Sequence, residues 1–246
     1  MITTAIILAV LHLASSATLP ATFKQCHQKD PSLNECLKVA VQDAIQQIGT
    51  NGIPDLGVGP LEPMAVKEVK VDQGGHGPVA IKLQFTNLKI YGIPESTITK
   101  ADTHLDKYQL ISESQTPIFR FDADYVIDGQ ILVLPIRGKG VCNITLESLT
   151  AVHDIKGKPV TRDGEVYMEL TSYGLKLKTK RLHTRFENLF NGDKTLARAV
   201  GKIMHENWEL VFNEIRPALE EAFGTVFLDR AKVIFDQVPF DKIFLP

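Results

Sequence analysis

Beyond its first residues the sequence holds no apolar run of the about 20 residues that a membrane-spanning helix needs. Nor does it hold an excess of either charge. Its 27 Lys plus Arg face 29 Asp plus Glu, a formal net charge of −2, which removes the basic footprint of a nucleic-acid binder. The short motifs of common chemistries are missing too: there is no G-x-S-x-G elbow, H-E-x-x-H pair, phosphate-cradling glycine loop or C-x-x-C. Histidines at 27, 76, 104, 153, 183 and 205 are spaced neither as metal ligands nor as a helical pair. No catalytic residue, metal or cofactor is therefore expected. Apolar residues make up 44 % of the chain, which excludes a disordered one.

At the N-terminus, MITTAIILAVLHLASSA carries no charged side chain, holds an apolar run from Ala5 to Ala14 and ends in small residues. Ser15 and Ala17 are placed for signal-peptidase cleavage after Ala17, although the usual basic start is reduced to the amino terminus itself. The run is too short for an anchor. Residues 1–17 are thus predicted as a signal peptide, and 18–246 as one secreted, extracellular domain of 246 − 17 = 229 residues.

With 3 cysteines in a secreted chain, one is left over. A bridge between Cys26 and Cys36 would close a short loop, worth roughly 2–3 kcal/mol by chain-entropy reasoning. Cys142 is then the odd thiol. By strand alternation it shares a face with Ile144 and Leu146 and should be buried, while Asn143 of the sequon N-I-T points outward as a glycan acceptor.

Periodicity divides the rest. Ser32 and Glu35 form an S-x-x-E capping box before Leu33, Leu37, Ala40, Val41, Ala44 and Ile48, one helical face that Gly49 ends. Residues 52–63, GIPDLGVGPLEP, are too rich in proline and glycine for regular structure and predict an ordered loop. From Pro78 to Lys180 the apolar period is two, with clear strands at 79–86 and 119–127. Pro135 within QILVLPIR suggests a bulge or an edge, and Asp163-Gly164 a hairpin turn. From Asp193, an N-cap, the period becomes helical: Leu196, Val200, Ile203, Trp208, Val211, Ile215, Leu219 and Phe223 form a stripe, with a kink expected at Pro217. The predicted fold is α+β, a curved antiparallel sheet closed by one long C-terminal helix. Such an arrangement encloses an elongated apolar interior suited to a lipophilic guest.

Cys26 and Cys36, the loop GIPDLGVGPLEPM, the stretches YVIDGQILVLPIRGKG and FENLFNGDKTLARAVGKIMHENW, and the ending VPFDKIFLP occur in one order along the mature chain. Together they resemble the insect takeout and haemolymph juvenile-hormone-binding protein family. The resemblance implies a tubular lipid-binding (TULIP-like) fold with an apolar tunnel, secretion, the Cys26–Cys36 bridge, and non-covalent carriage of a terpenoid hormone, fatty acid or other lipid. The family's processes include circadian output. The hormone carriers' second disulfide cannot form here, because no cysteine follows Cys142. The chain therefore looks more like the takeout branch.

The residues expected to face the ligand are Phe85, Phe119, Phe121, Tyr125, Leu132, Trp208, Val211, Phe212 and Ile215. Tyr125 falls between apolar neighbours, and the resemblance implies a ligand hydrogen bond from it. Two rival functions are weighed. An esterase-like enzyme would turn over a lipophilic ester that a carrier only retains. A signalling or docking protein of the same fold would use Lys176, Lys178, Lys180, Arg181 and Arg185 for transient contact with anionic membrane or a receptor. A monomer is expected.

Overall fold

The computed structural model describes residues 17–74, 77–132 and 134–246. The predicted signal peptide, apart from Ala17, lies outside the described residues, as do His76 and Val133. A two-residue strand β1 (Cys26–His27) leads into helix α1 (Leu33–Ile48), and a Cys26–Cys36 disulfide joins them. The helix starts where the capping box predicts but not by that device. Ser32 makes no side-chain cap, and its hydroxyl donates instead to Asp30 Oδ1 at 2.7 Å. Residues 52–63 form a fixed loop with a 3-10 turn at Pro54–Leu56 and a cis Glu62–Pro63 bond, anchored by buried Leu56, Val58 and Leu61.

Seven strands follow: β2 (Met64–Gln73), β3 (Val79–Tyr91), β4 (Thr97–His104), β5 (Gln109–Ile131), β6 (Leu134–Arg162), β7 (Glu165–Lys178) and β8 (Arg181–Phe186). Sequence reading passes over β2 and β4, whose charged residues blur the alternation. Pro135 does lie at an edge, since residues 134–137 of β6 pair with β5 alone among the described strands, but QILVLPIR also contains a turn that sequence reading did not place. Ile131 pairs with Leu134, so this stretch is the tight hairpin joining the two longest strands, with Pro135 paired to Gln130. Asp163 and Gly164 make the expected two-residue turn, both with positive φ.

All seven strands form one antiparallel sheet built on β5 and β6, of 23 and 29 residues. At one end of this pair β3 adds to β5 and β8 to β6; at the other end β4 adds to β5 and β7 to β6. Between the ends both strands turn over together. The buried side chains of β5 step from Ser114 and Thr116 to Phe121 and Ala123, and those of β6 from Cys142, Ile144 and Leu146 to Leu149 and Ala151. Each series thereby changes parity. The ladder skips only Pro117, which has no N–H to donate, and Ser148 opposite it, whose φ is 51°.

The helical period after Asp193 resolves into α2 (Lys194–Glu206) and α3 (Trp208–Phe235). Asp193 caps α2 as expected, its Oδ1 accepting from the N–H groups of Thr195 and Leu196 at 2.9 and 3.0 Å. The helical run is broken at Asn207, and the 28-residue α3 continues through Pro217 as expected. Leu196 departs from the buried stripe and is exposed, whereas Val200, Val211, Phe212 and Phe223 are buried. Glu220, also buried, anchors α3 to β7. Its carboxylate accepts from Lys176 Nζ at 2.8 Å and from the Leu177 N–H at 2.9 Å. The chain ends in α4 (Phe240–Ile243) and β9 (Phe244–Leu245), the latter paired parallel to β1. A small second core, in which Phe240 and Phe244 pack with Cys26, Leu37 and Met168, closes the end of the molecule that carries the disulfide.

Candidate functional site

Because the sheet curls and α3 runs along its inner face, the apolar side chains of both leave a space between them. The cavity measures about 460 Å³, within the roughly 300–1,000 Å³ usual for small-molecule sites. Of the nine expected lining residues, Phe85, Phe119, Phe121, Val211, Phe212 and Ile215 do face it. Their rings interlock: Phe121 stands edge-on to Phe85 at 5.3 Å between centroids and meets Phe223 of α3 at 5.8 Å.

Tyr125, Leu132 and Trp208 do not line the cavity. Tyr125 is buried, yet its phenol donates to the Glu187 carbonyl at 2.6 Å. Gly138 and Gly140 make that bond reachable. A Cβ at Gly140 would lie 2.6 Å from the Glu187 oxygen, so glycine alone lets the segment after β8 cross β6 this closely. Phe186, packed against the Tyr125 ring at 4.8 Å, faces the cavity in its place. Burial, with smaller contributions from Cys142 and Glu187, pushes the Tyr125 hydroxyl up to about 12. Leu132 sits in the β5–β6 turn with φ 54°, its N–H bonded to the Pro78 carbonyl. Trp208 begins α3, where Arg181 lies over its ring at 5.7 Å.

Cys142 is buried and free, on the face opposite Asn143 as alternation requires. Burial pushes its thiol up to about 12. Asn143 is half-buried, and its amide donates to Asp122. Of the basic run, Lys178, Lys180 and Arg185 are exposed, while Lys176 is paired with Glu220.

Sequence reasoning missed the cavity's polar groups. Ser114, His153 and Tyr173, on the adjacent strands β5, β6 and β7, all line it. Ser114 Oγ is 3.0 Å from His153 Nε2, and Tyr173 Oη 2.9 Å from His153 Nδ1. Burial pushes the imidazole down to about 4 and raises the Tyr173 phenol. Nearby, Ser96 and Thr116 hydrogen-bond each other at 2.7 Å. Among the described residues no cluster of His, Cys, Asp or Glu could hold a metal ion, and no helix is long and apolar enough to cross a membrane.

The fold is thus an α+β one in which a curled antiparallel sheet closes on a long helix around an apolar cavity. The family model for haemolymph juvenile hormone binding proteins matches residues 5–245, and the chain belongs to that family. It is 30% identical to the circadian clock-controlled protein daywake of Drosophila melanogaster over 94% of this chain and 90% of the relative. A putative beta-carotene-binding protein of Schistocerca gregaria is 21% identical over 87% of this chain and 84% of its own. In fold the chain is similar to the crystal structure of Epiphyas postvittana Takeout 1, with a TM-score of 0.76 and 22% identity, covering 91% of this chain and 100% of that one.

Proposed function

We propose that this protein is a secreted, monomeric carrier that holds one small lipophilic molecule, a terpenoid, fatty acid or other lipid, non-covalently between the sheet and α3. The observation that carries the reading is the cavity itself, about 460 Å³ and lined almost wholly by hydrocarbon and aromatic side chains. Enclosing roughly 400 Å² of an extended ligand at about 25 cal/mol per Å² yields on the order of 10 kcal/mol before association costs. Micromolar or tighter binding then needs few polar contacts.

Binding rather than turnover is also the better account of Ser114 and His153. A nucleophilic serine needs a base and free N–H donors for the developing oxyanion. Here the base is held near 4. Ser114 lies in a stretch of β5 paired on both sides, with β4 and with β6, so its backbone is committed to the sheet.

The test is Val211→Trp. Val211 is 2% exposed and faces the cavity. Overpacking a filled core typically costs about 1–3 kcal/mol, whereas filling an open space need not. The variant should melt close to the parent and no longer take up a fluorescent fatty acid or terpenoid. Strong destabilisation would mean a dry core at that point, and unchanged uptake would place Val211 off the ligand path.

A further inference from the structure

Ser114, His153 and Tyr173 form one hydrogen-bonded row across three strands, at the end of the cavity whose wall also carries Ser96, Ser112 and Thr116. Leu175 lies directly opposite His153 in the ladder, and the Phe227 ring of α3 is 5.7 Å from that of Tyr173. The row is short of one acceptor. Burial keeps the imidazole neutral, so it brings one N–H and one bare nitrogen. With the two hydroxyls that makes three protons for two hydrogen bonds. If Tyr173 donates to Nδ1, the Nε2 proton goes to Ser114 and the serine proton is unspent. If Ser114 donates to Nε2, the Nδ1 proton goes to Tyr173 and the phenol proton is unspent. Among the described residues neither hydroxyl has a second partner. One donor is therefore left over in either arrangement, in a place where an unmatched donor is costly.

We propose that Ser114, His153 and Tyr173 are the polar subsite of the cavity, and that they select lipophiles carrying an acceptor oxygen, as in an ester, ketone or epoxide, over hydrocarbons of the same length. The proposal rests on the carrier reading above and adds the chemistry of the ligand. An acceptor oxygen docked on the row takes the surplus proton, whichever hydroxyl offers it, because the imidazole can pass its own proton preference from one side to the other. A plain hydrocarbon leaves that donor unmatched. The selection is thus made by a penalty on the wrong ligand as much as by a bond to the right one.

The experiment is displacement of bound N-phenylnaphthylamine by a fatty-acid methyl ester and by the alkane of equal chain length. The intact protein should prefer the ester by roughly fivefold, the worth of one net hydrogen bond. The triple variant Ser114→Ala, His153→Phe, Tyr173→Phe replaces the whole row by apolar groups and so strands no polar atom. It should bind ester and alkane alike, and the alkane more tightly than the parent does, because the unmatched donor is gone. Equal affinities in the intact protein overturn the subsite while the carrier reading stands. Failure of the intact protein to bind probe, ester and alkane overturns both. Cleavage of the ester replaces the binding role by a catalytic one and also overturns the proposal. Should the triple variant not fold, the ring nitrogens of His153 decide in the intact protein: their nitrogen-15 shifts should move with ester and stay with alkane, and equal responses to the two count against the subsite.

Discussion

Where β5 and β6 pair with β3 and β8, the inner face is ring and hydrocarbon: Phe85 against Phe121, then Ala123, Ile127, Ile144 and Leu146. Where the same two strands pair with β4 and β7, the inner face carries Ser114, Thr116, His153 and Tyr173 among smaller apolar residues. The first end can be held by packing alone. The second gives part of its interior to polar groups, and it is there that the chain adds a disulfide and the small core around Phe240. The contrast teaches that one cavity can be divided into a part that stabilises and a part that discriminates, with covalent closure placed beside the latter.

That division can be broken at four points. The largest effect should come from Phe85→Ala at the apolar end, where a fully buried ring is lost; about 3–5 kcal/mol of stability should disappear in denaturant titration. If the loss is under 1 kcal/mol, that end is not held by packing. Replacing Cys26 and Cys36 together by serine should cost roughly 2–3 kcal/mol, with hydrogen exchange accelerated first in α1 and β1. Uniform acceleration across the sheet would mean that the bridge does not serve its own end in particular.

Next in size is a pH effect from the polar end. His153 titrates at about 4 in the folded chain, and at about 6.5 once unfolded. Between those values the unfolded chain takes up a proton that the folded one refuses, so stability falls as pH drops through this window and levels off below it. At pH 5 the loss should be on the order of 1–2 kcal/mol, and His153→Phe should remove it. An unchanged pH profile in that variant would show that the ring is not held neutral. The smallest effect belongs to Cys142, whose thiol is held far above neutral pH by burial. Thiol reagents should find no group in the native protein and one after denaturation without reductant. Native labelling, or a covalent dimer, would mean that this strand face is open.

Much of this molecule was readable in advance. The alternation at 79–86 and 119–127, the Asp163-Gly164 turn, the Asp193 cap and the cavity-facing position of six of the nine residues expected there all follow from period and turn chemistry, because those signals are local. Tyr125 failed for a non-local reason: the carbonyl that takes its proton belongs to Glu187, brought across β6 by two glycines. The polar row failed for another. Continued along the parity of Cys142, Ile144 and Leu146, His153 would face solvent. Continued back from Phe121, Ser114 would too. Both enter the cavity because the strands turn over together at Pro117 and Ser148. Tyr173 follows a similar break, a register shift in the β6–β7 ladder after Lys156.

By itself the sequence determined the fold class, the bridged N-terminal helix, the buried odd thiol and the family, since each rests on residue type and near-neighbour spacing. Tertiary structure alone decided which polar side chains see the cavity. A strand presents its residues by parity, and a single local break, invisible in the residue pattern on either side of it, exchanges the inner face for the outer one.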